Sequence, residues 1–281
     1  MLAAVFSAAF IASGVVFVRF AYQSGVLPGT GLILRFGLAS VLLAAFLGLS
    51  HRWVQIPWKE VFVLLLLGFF AYTTLGATWF VSLTLLPAWL VSLFSALQPL
   101  LIIFGSWLFL KGDFTPKLIL PLLVVVFGGV LLFWQPFSSA ALIGVVLMIL
   151  NLFVYSAYIL FGQSWINRRS PEVAVFWVMV GATLGSTLYA AFVGQINFGF
   201  EPIGWIWALG LALVSTVLAI TFLWYGVRIL GPSRSSIFGA LDPVFSVLLA
   251  VFILGEQITL QQILGGVLIL FGVSIVRYLE K

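Results

Sequence analysis

The sequence predicts an all-α polytopic membrane protein, ten transmembrane helices forming two inverted five-helix repeats with both termini cytoplasmic. Three observations carry this. Of 281 residues, 64% are hydrophobic and 7% charged, with a mean hydropathy of +1.29, whereas soluble domains carry about 25% charged residues. Lysine and arginine collect at every second break between apolar spans. Finally, Leu86–Trp134 lies over Leu230–Tyr278 without a gap, at an offset of 144 positions.

Apolar spans of bilayer length, separated by short turn-forming breaks, place helices at about 2–22, 31–49, 59–84, 87–110 and 117–134. A second set follows at about 139–165, 172–194, 203–228, 232–254 and 259–278. No connection is long enough for a soluble domain. The most polar break is Arg168-Arg169-Ser170-Pro171, after the sixth helix. The boundary between halves falls earlier, at Gln135-Pro136-Phe137-Ser138, giving repeats at 1–136 and 137–281. The N-terminus is apolar from Leu2, without a basic lead-in or small-residue cleavage site, so no cleaved signal peptide is expected.

Orientation follows from charge. With the N-terminus inside, the cytoplasmic ends hold Arg52, Lys59, Lys111, Lys117, Arg168, Arg169, Arg228, Arg234, Arg277 and Lys281, ten of the twelve basic residues. Arg19 and Arg35 lie within the first two helices, and the external loops hold none. This is the positive-inside pattern, and a missed helix would scramble it. The net charge of +5 is therefore a topology signal and not a nucleic-acid face.

The repeat matches Ala96-Leu97-Gln98-Pro99 to Ala240-Leu241-Asp242-Pro243. Ser92, Phe94, Thr115, Ile119, Phe127 and Gly128 fall on Ser236, Phe238, Thr259, Ile263, Phe271 and Gly272. Proline lacks an amide hydrogen, so Pro243 deprives the Gly239 carbonyl of its helical donor. Such a defect survives at membrane depth only where protein or a water-filled cavity supplies partners. An odd number of crossings per repeat inverts the second copy. Inverted repeats with broken helices are the architecture of secondary transporters, with substrate near the midplane.

Several motifs also resemble a known family. Pro243-Val244, Gly255-Glu256 with Thr259, Gly265 and Gly272 are similar to the second repeat of the drug/metabolite transporter superfamily, in its EamA-type exporters. Arg35-Phe36 and the segment ending at Pro99 resemble the first repeat. The resemblance covers essentially the whole chain and implies a basket-like ten-helix fold exporting amino acids or other small metabolites. The aromatic interior resembles the branch that exports aromatic and apolar amino acids. Lys111-Gly112-Asp113 departs from the Gly-Glu expected in the first repeat, at a loop position.

Of seven acids, only Asp242 sits near the bilayer centre, where an ionisable residue is functional by default. Three roles suit it: proton carrier, ligand for a substrate ammonium, or satisfier of backbone groups freed around Pro243. Its counterpart Gln98 reads as structural. Asn151, Tyr155 and Tyr158 follow at i, i+4 and i+7, one face of the sixth helix. An amide and two phenols there suit an amphipathic zwitterion with a ring, or simply interhelical hydrogen bonds. The third helix presents Tyr72, Gly76 and Trp79 on one face and Thr74, Thr78 and Ser82 on another. Thr221, Trp224 and Tyr225 are its counterparts on the eighth. Arg35 is placed to attract a carboxylate or to bond backbone carbonyls, while Arg19 reads as snorkelling to the surface. Trp53, Trp58, Trp89, Trp107, Trp134, Trp165, Trp205 and Trp207 fall near helix ends, as in an interfacial belt. Ser92 precedes Ala96 by four, and Ser235 precedes Gly239 by four, which suits close helix packing.

The candidate substrate-binding set is Asn151, Tyr155, Tyr158, Trp79, Tyr72, Asp242 and Arg35, with Asp242 also the candidate for proton coupling. Enzyme signatures are absent: the chain has no cysteine, no P-loop and a single His51 in a loop. No cofactor, metal or catalytic residue is expected. The expected partners are a small-molecule substrate, membrane lipid and protons, not nucleic acid. Gly128-Gly129 and Gly265-Gly266 suit either a homodimer or packing within a monomer. Two other readings are export of hydrophobic cations or drugs, and a non-transporting scaffold or lipid-handling protein in the same cytoplasmic membrane. The scaffold predicts a dry interior with no cavity at the depth of Asp242 and Asn151.

Overall fold

The computed structural model describes residues 2–95, 97–110, 123–124, 127–128, 139–166, 170–230, 235 and 241–279. These residues contain helices and no strand. Most of the predicted fifth helix, the boundary at Gln135–Ser138, Lys111-Gly112-Asp113, Arg168-Arg169 and Ala240 lie outside them. Seven spans are long and apolar enough to cross a membrane. Four are α1 (Leu2–Gln23), α2 (Pro28–Leu49), α3 (Trp58–Leu85) and Ala88–Phe109. The last divides into α4 (Ala88–Ser95) and α5 (Gln98–Leu110). Then come α6 (Ser139–Ile166), α7 (Pro171–Phe192) and α8 (Ile203–Leu230). The shorter α9 (Asp242–Phe252) and α10 (Leu260–Leu279) complete the described helices.

Local chemistry sets the ends. Pro28 and Pro171 occupy the first turn of α2 and α7, where a missing amide hydrogen costs nothing. The two helices also close alike. His51 (φ 52°) follows α2 and Gly194 (φ 66°) follows α7 in the left-handed region, letting Arg52 N and Gln195 N reach back to Leu47 O and Ala190 O. The break expected before Pro99 is present: α4 stops at Ser95 and α5 begins at Gln98. On the other side of the repeat, α9 begins at Asp242, 144 positions later.

Two irregularities have no sequence precedent. Leu67–Tyr72 in α3 and Leu213–Leu218 in α8 form π-helical turns. In each a threonine hydroxyl bonds the carbonyl five residues back, Thr73 to Gly68 at 3.2 Å and Thr216 to Leu211 at 2.9 Å. Such turns concentrate at functional sites.

At the centre, α7 packs against α2 and α3, and α8 against α2 and α1. α6 lies on α3 and α5, while α9 lies on α1 and α4. The α3–α7 crossing is close because glycine makes it so. A Cβ on Gly68 would meet the Val178 carbonyl, and one on Gly181 would meet the Leu65 carbonyl. Outside, the molecule is apolar: Leu49, Phe192 and Phe252 are exposed, and Val41, Phe153 and Leu188 line helix exteriors. Polar side chains such as Ser7, Asn151 and Asp242 are buried. That inversion of the soluble pattern is what a hydrocarbon solvent selects. Trp89 does not join an interfacial belt; it is 5% exposed, under α9.

Candidate functional site

A cavity of about 120 Å³ opens between α1, α2, α3, α6, α8 and the broken pair α4/α5 with α9. One water needs roughly 10–15 Å³ on the same measure, so several waters or a small solute fit. A filled interior with no cavity beside Asp242 and Asn151, the expectation for a scaffold, is not what the structure contains. Six of the seven residues singled out from sequence line this cavity: Arg35, Tyr72, Trp79, Asn151, Tyr155 and Asp242.

Asp242 is the first residue of α9, placed there by the break, with Pro243 following it inside the first turn. It is 8% exposed. Among the described residues its carboxylate accepts one hydrogen bond, from Ser246 Oγ at 3.0 Å, one turn on in the same helix. A helix start is also where the peptide dipole favours a carboxylate. Arg35 crosses to α8. Its Nε donates to Thr216 Oγ1 at 2.9 Å, and its Nη2 lies 3.5 Å from Ser215 O, inside the π turn. Three rings surround the guanidinium carbon at 5.5–5.8 Å, those of Phe36, Trp79 and Phe80, within cation–π range. Among the described residues neither Arg35 nor Asp242 has an ion-pair partner; the two pairs present are Arg19–Glu256 and Arg52–Glu172.

Asn151 has a double role. Its Nδ2 donates to Leu75 O at 2.9 Å and to Thr78 Oγ1 at 2.8 Å, tying α6 to α3. Both amide hydrogens are thereby used, so a further bond from Asn151, which lines the cavity, would be accepted by its side-chain oxygen. Tyr72 stands edge-on to Phe36 and to Tyr158, with centroids 5.6 and 5.3 Å apart.

Tyr158, the seventh, stands behind the lining and is 2% exposed. Its hydroxyl accepts from Trp224 Nε1 at 3.2 Å, and its ring backs Tyr72. The i, i+7 spacing put it on the Asn151 face, but that position is a full two turns on, where Trp224 of α8 closes over it. The hydroxyls on α3 also turn out structural. Thr74 and Thr78 bond their own helix, while Ser82 bonds Gly144 O on α6 at 3.1 Å. Tyr225 belongs to a different group: its hydroxyl donates to Glu172 Oε1 at 2.6 Å, with Arg52 3.7 Å from the same oxygen.

Sequence reasoning missed part of the lining. Gln98, read as structural, faces the cavity, as do Ser92 and Ser235, read as packing residues. Ser7 and Ser215 were not singled out at all. Ser7 Oγ donates to Ala219 O at 2.8 Å on α8. A signal for α1 did exist: Ala4, Ala8 and Ala12 recur every fourth residue and are all buried, a close-approach face. For Ser215 no sequence signal announces the π turn that presents it.

The model of the EamA-like transporter family matches residues 1–134 and 142–278. A protein of Archaeoglobus fulgidus named an uncharacterized transporter is 27% identical over 247 residues, 86% of each chain. The uncharacterized transporter YyaM of Bacillus subtilis is 24% identical over 258 residues, covering 88% of this chain and 83% of its own. A crystal structure, titled only as that of a protein, superimposes with a TM-score of 0.72 at 20% identity, covering 98% of this chain and 97% of the other. That likeness concerns the fold.

Proposed function

The chain belongs to the EamA-like transporter family and is a multi-pass membrane transporter, and from that premise we propose that it exports amino acids, aromatic and apolar ones first, across the cytoplasmic membrane by alternating access. The observation that carries the substrate class is that Arg35 and Asp242 line one cavity and neither has an ion-pair partner among the described residues. A charge held in a low-dielectric site without a partner is costly. A zwitterion supplies both partners at once, its carboxylate to Arg35 and its ammonium to Asp242. Tyr72, Tyr155 and Trp79 offer ring faces and edges to an apolar side chain between them. Asp242 also carries the proton that couples export to a pH gradient, exchanging it for the substrate ammonium.

The helix packing supports two repeats about a pseudo-two-fold axis. Adding 144 positions turns α1, α2, α3 and α5 approximately into α6, α7, α8 and α9. Under that exchange the α3–α7 contact becomes α8–α2, α1–α8 becomes α6–α3, and α6–α5 becomes α1–α9. All six are present. The two stretches matched by the family model also fall on either side of residues 136 and 137.

Purified protein in liposomes, preloaded with an aromatic amino acid, provides the test. Unlabelled aromatic amino acids should compete with labelled substrate, while their methyl esters and decarboxylated amines should compete at least about tenfold less well, an ionic contact being worth that much or more. Arg35→Gln should abolish that preference. Quaternary ammonium compounds competing better than any amino acid would establish the hydrophobic-cation reading instead.

A further inference from the structure

Glu256, in the short connection between α9 and α10, reaches across to the other half of the chain. Its Oε1 accepts from Ala88 N at 2.9 Å and its Oε2 from Trp89 N at 3.1 Å. These are the first two amides of α4, which have no carbonyl of their own helix to bond. Arg19, near the end of α1, lies 3.5 Å from Oε1 through Nη2, and the same Nη2 donates to Leu86 O at 2.8 Å. The pair is largely sheltered, with side chains 26% and 17% exposed. One carboxylate and one guanidinium thus bind together α1, the α3–α4 connection, α4 and the α9–α10 connection.

α1, α4 and α9 also supply cavity walls. At one end the cavity reaches Ala4, a single turn into α1, and Ser235. At the other it stops at Trp79 and Ser92, below the ends of α3 and α4 that the ion pair joins. The lining is lopsided, extending to the end that holds the N-terminus and ending short of the end that holds Arg19 and Glu256.

We propose that Arg19 and Glu256 are the outer gate of the carrier, a latch between the halves that is made when the cavity faces the cytoplasm and broken when it faces outward. The proposal rests on the alternating-access reading but not on any substrate. Glu256 suits a latch because its ligands are main-chain amides and a cation, which water can replace when the elements separate. A carboxylate at a helix start, paired besides with arginine, favours the closed arrangement without locking it.

The chain has no cysteine, so single reporters can be read directly. Ser92→Cys reports the cavity just beneath the latch, and Ala4→Cys reports its far end. Each is labelled with a membrane-impermeant maleimide, on intact cells for the outer face and on inside-out vesicles for the inner. Glu256→Gln should raise outside labelling at the Ser92→Cys reporter about tenfold and lower inside labelling at the Ala4→Cys reporter, a population shift between two states. Arg19→Gln should act in the same direction, and it replaces Glu256→Gln if that variant does not reach the membrane. Arg19→Lys, which keeps the charge, should restore much of the parental pattern. Labelling that rises at both reporters together means a loosened fold and overturns the proposal. So does labelling that changes at neither. Both readouts are independent of the amino-acid assignment, so loss of transport specificity and failure of the latch are separate results.

Discussion

Asp242 and Arg35 illustrate how a membrane interior makes single residues decisive. Each is ionisable, each sits where hydrocarbon surrounds the helix bundle, and neither is paired among the described residues. Their separate attachments, Ser246 for the acid and Thr216 for the base, hold them in place without neutralising them. For proton coupling the sharpest change is Asp242→Asn, which preserves shape and removes the exchangeable charge. It should abolish uptake driven by a pH gradient in liposomes while leaving residual counterflow of substrate. Coupling that survives intact would remove Asp242 from the proton path. Tyr155 and Tyr158 mark the contrast between lining and support: neighbours on one face, one reaches the cavity and the other spends its hydroxyl on Trp224.

At the scale of elements, glycine and the π turns determine how close the walls come. Gly68, Gly181 and Gly185 admit backbone of the facing helix where any side chain would collide. Substituting Gly181→Ala should therefore destabilise the protein by about 2 kcal/mol or more, the range for overpacking against atoms that cannot retreat. Gly48→Ala is the matched control, because nothing lies within 4 Å of its added Cβ. That change should be neutral or slightly stabilising, alanine being the better helix former. Melting in detergent, followed by circular dichroism, compares them; equal midpoints would show that the α3–α7 crossing is looser than its geometry. The π turns do something different. The π turn of α8 presents the Thr216 hydroxyl and the Ser215 carbonyl to Arg35 of α2, while the Ser215 hydroxyl donates to Ile11 O of α1 at 3.4 Å, so that the arginine of one half grips the other half at its least regular point.

Over the whole molecule, the exchange of helix contacts under a 144-residue shift is the signature that a duplicated unit related by a pseudo-two-fold should leave, and an odd number of crossings per unit would make the two copies inverted. It makes a prediction about sidedness. Val54, between α2 and α3, and Phe198, between α7 and α8, are equivalent under the shift and both exposed. In inverted repeats they face opposite sides of the membrane. A Val54→Cys reporter should react with impermeant maleimide only from the cytoplasm, and a Phe198→Cys reporter only from outside. Reaction of both from one side would make the repeats parallel and remove the geometric basis for alternating access. The latch belongs to this scale as well, since it joins residues from both halves at one end of the cavity.

The amino-acid order alone determined the apolar spans, the places where they break and the charge asymmetry at their ends. These depend on local free energies, namely transfer of side chains into hydrocarbon and the missing amide of proline, which any short window of sequence already contains. It also determined the pairing of Gln98-Pro99 with Asp242-Pro243, and the structure duly starts α5 and α9 at those two residues. Which faces meet was decided only in three dimensions. The rotation of each helix is set by small residues such as Ala8 and Gly68 fitting a particular neighbour, so Ser7, Gln98 and Ser215 turn inward and Tyr158 turns away. The reach of Glu256 to Ala88 is further still from legibility. A carboxylate finds the open amides of a helix start through space, and the sequence records neither the distance nor the direction.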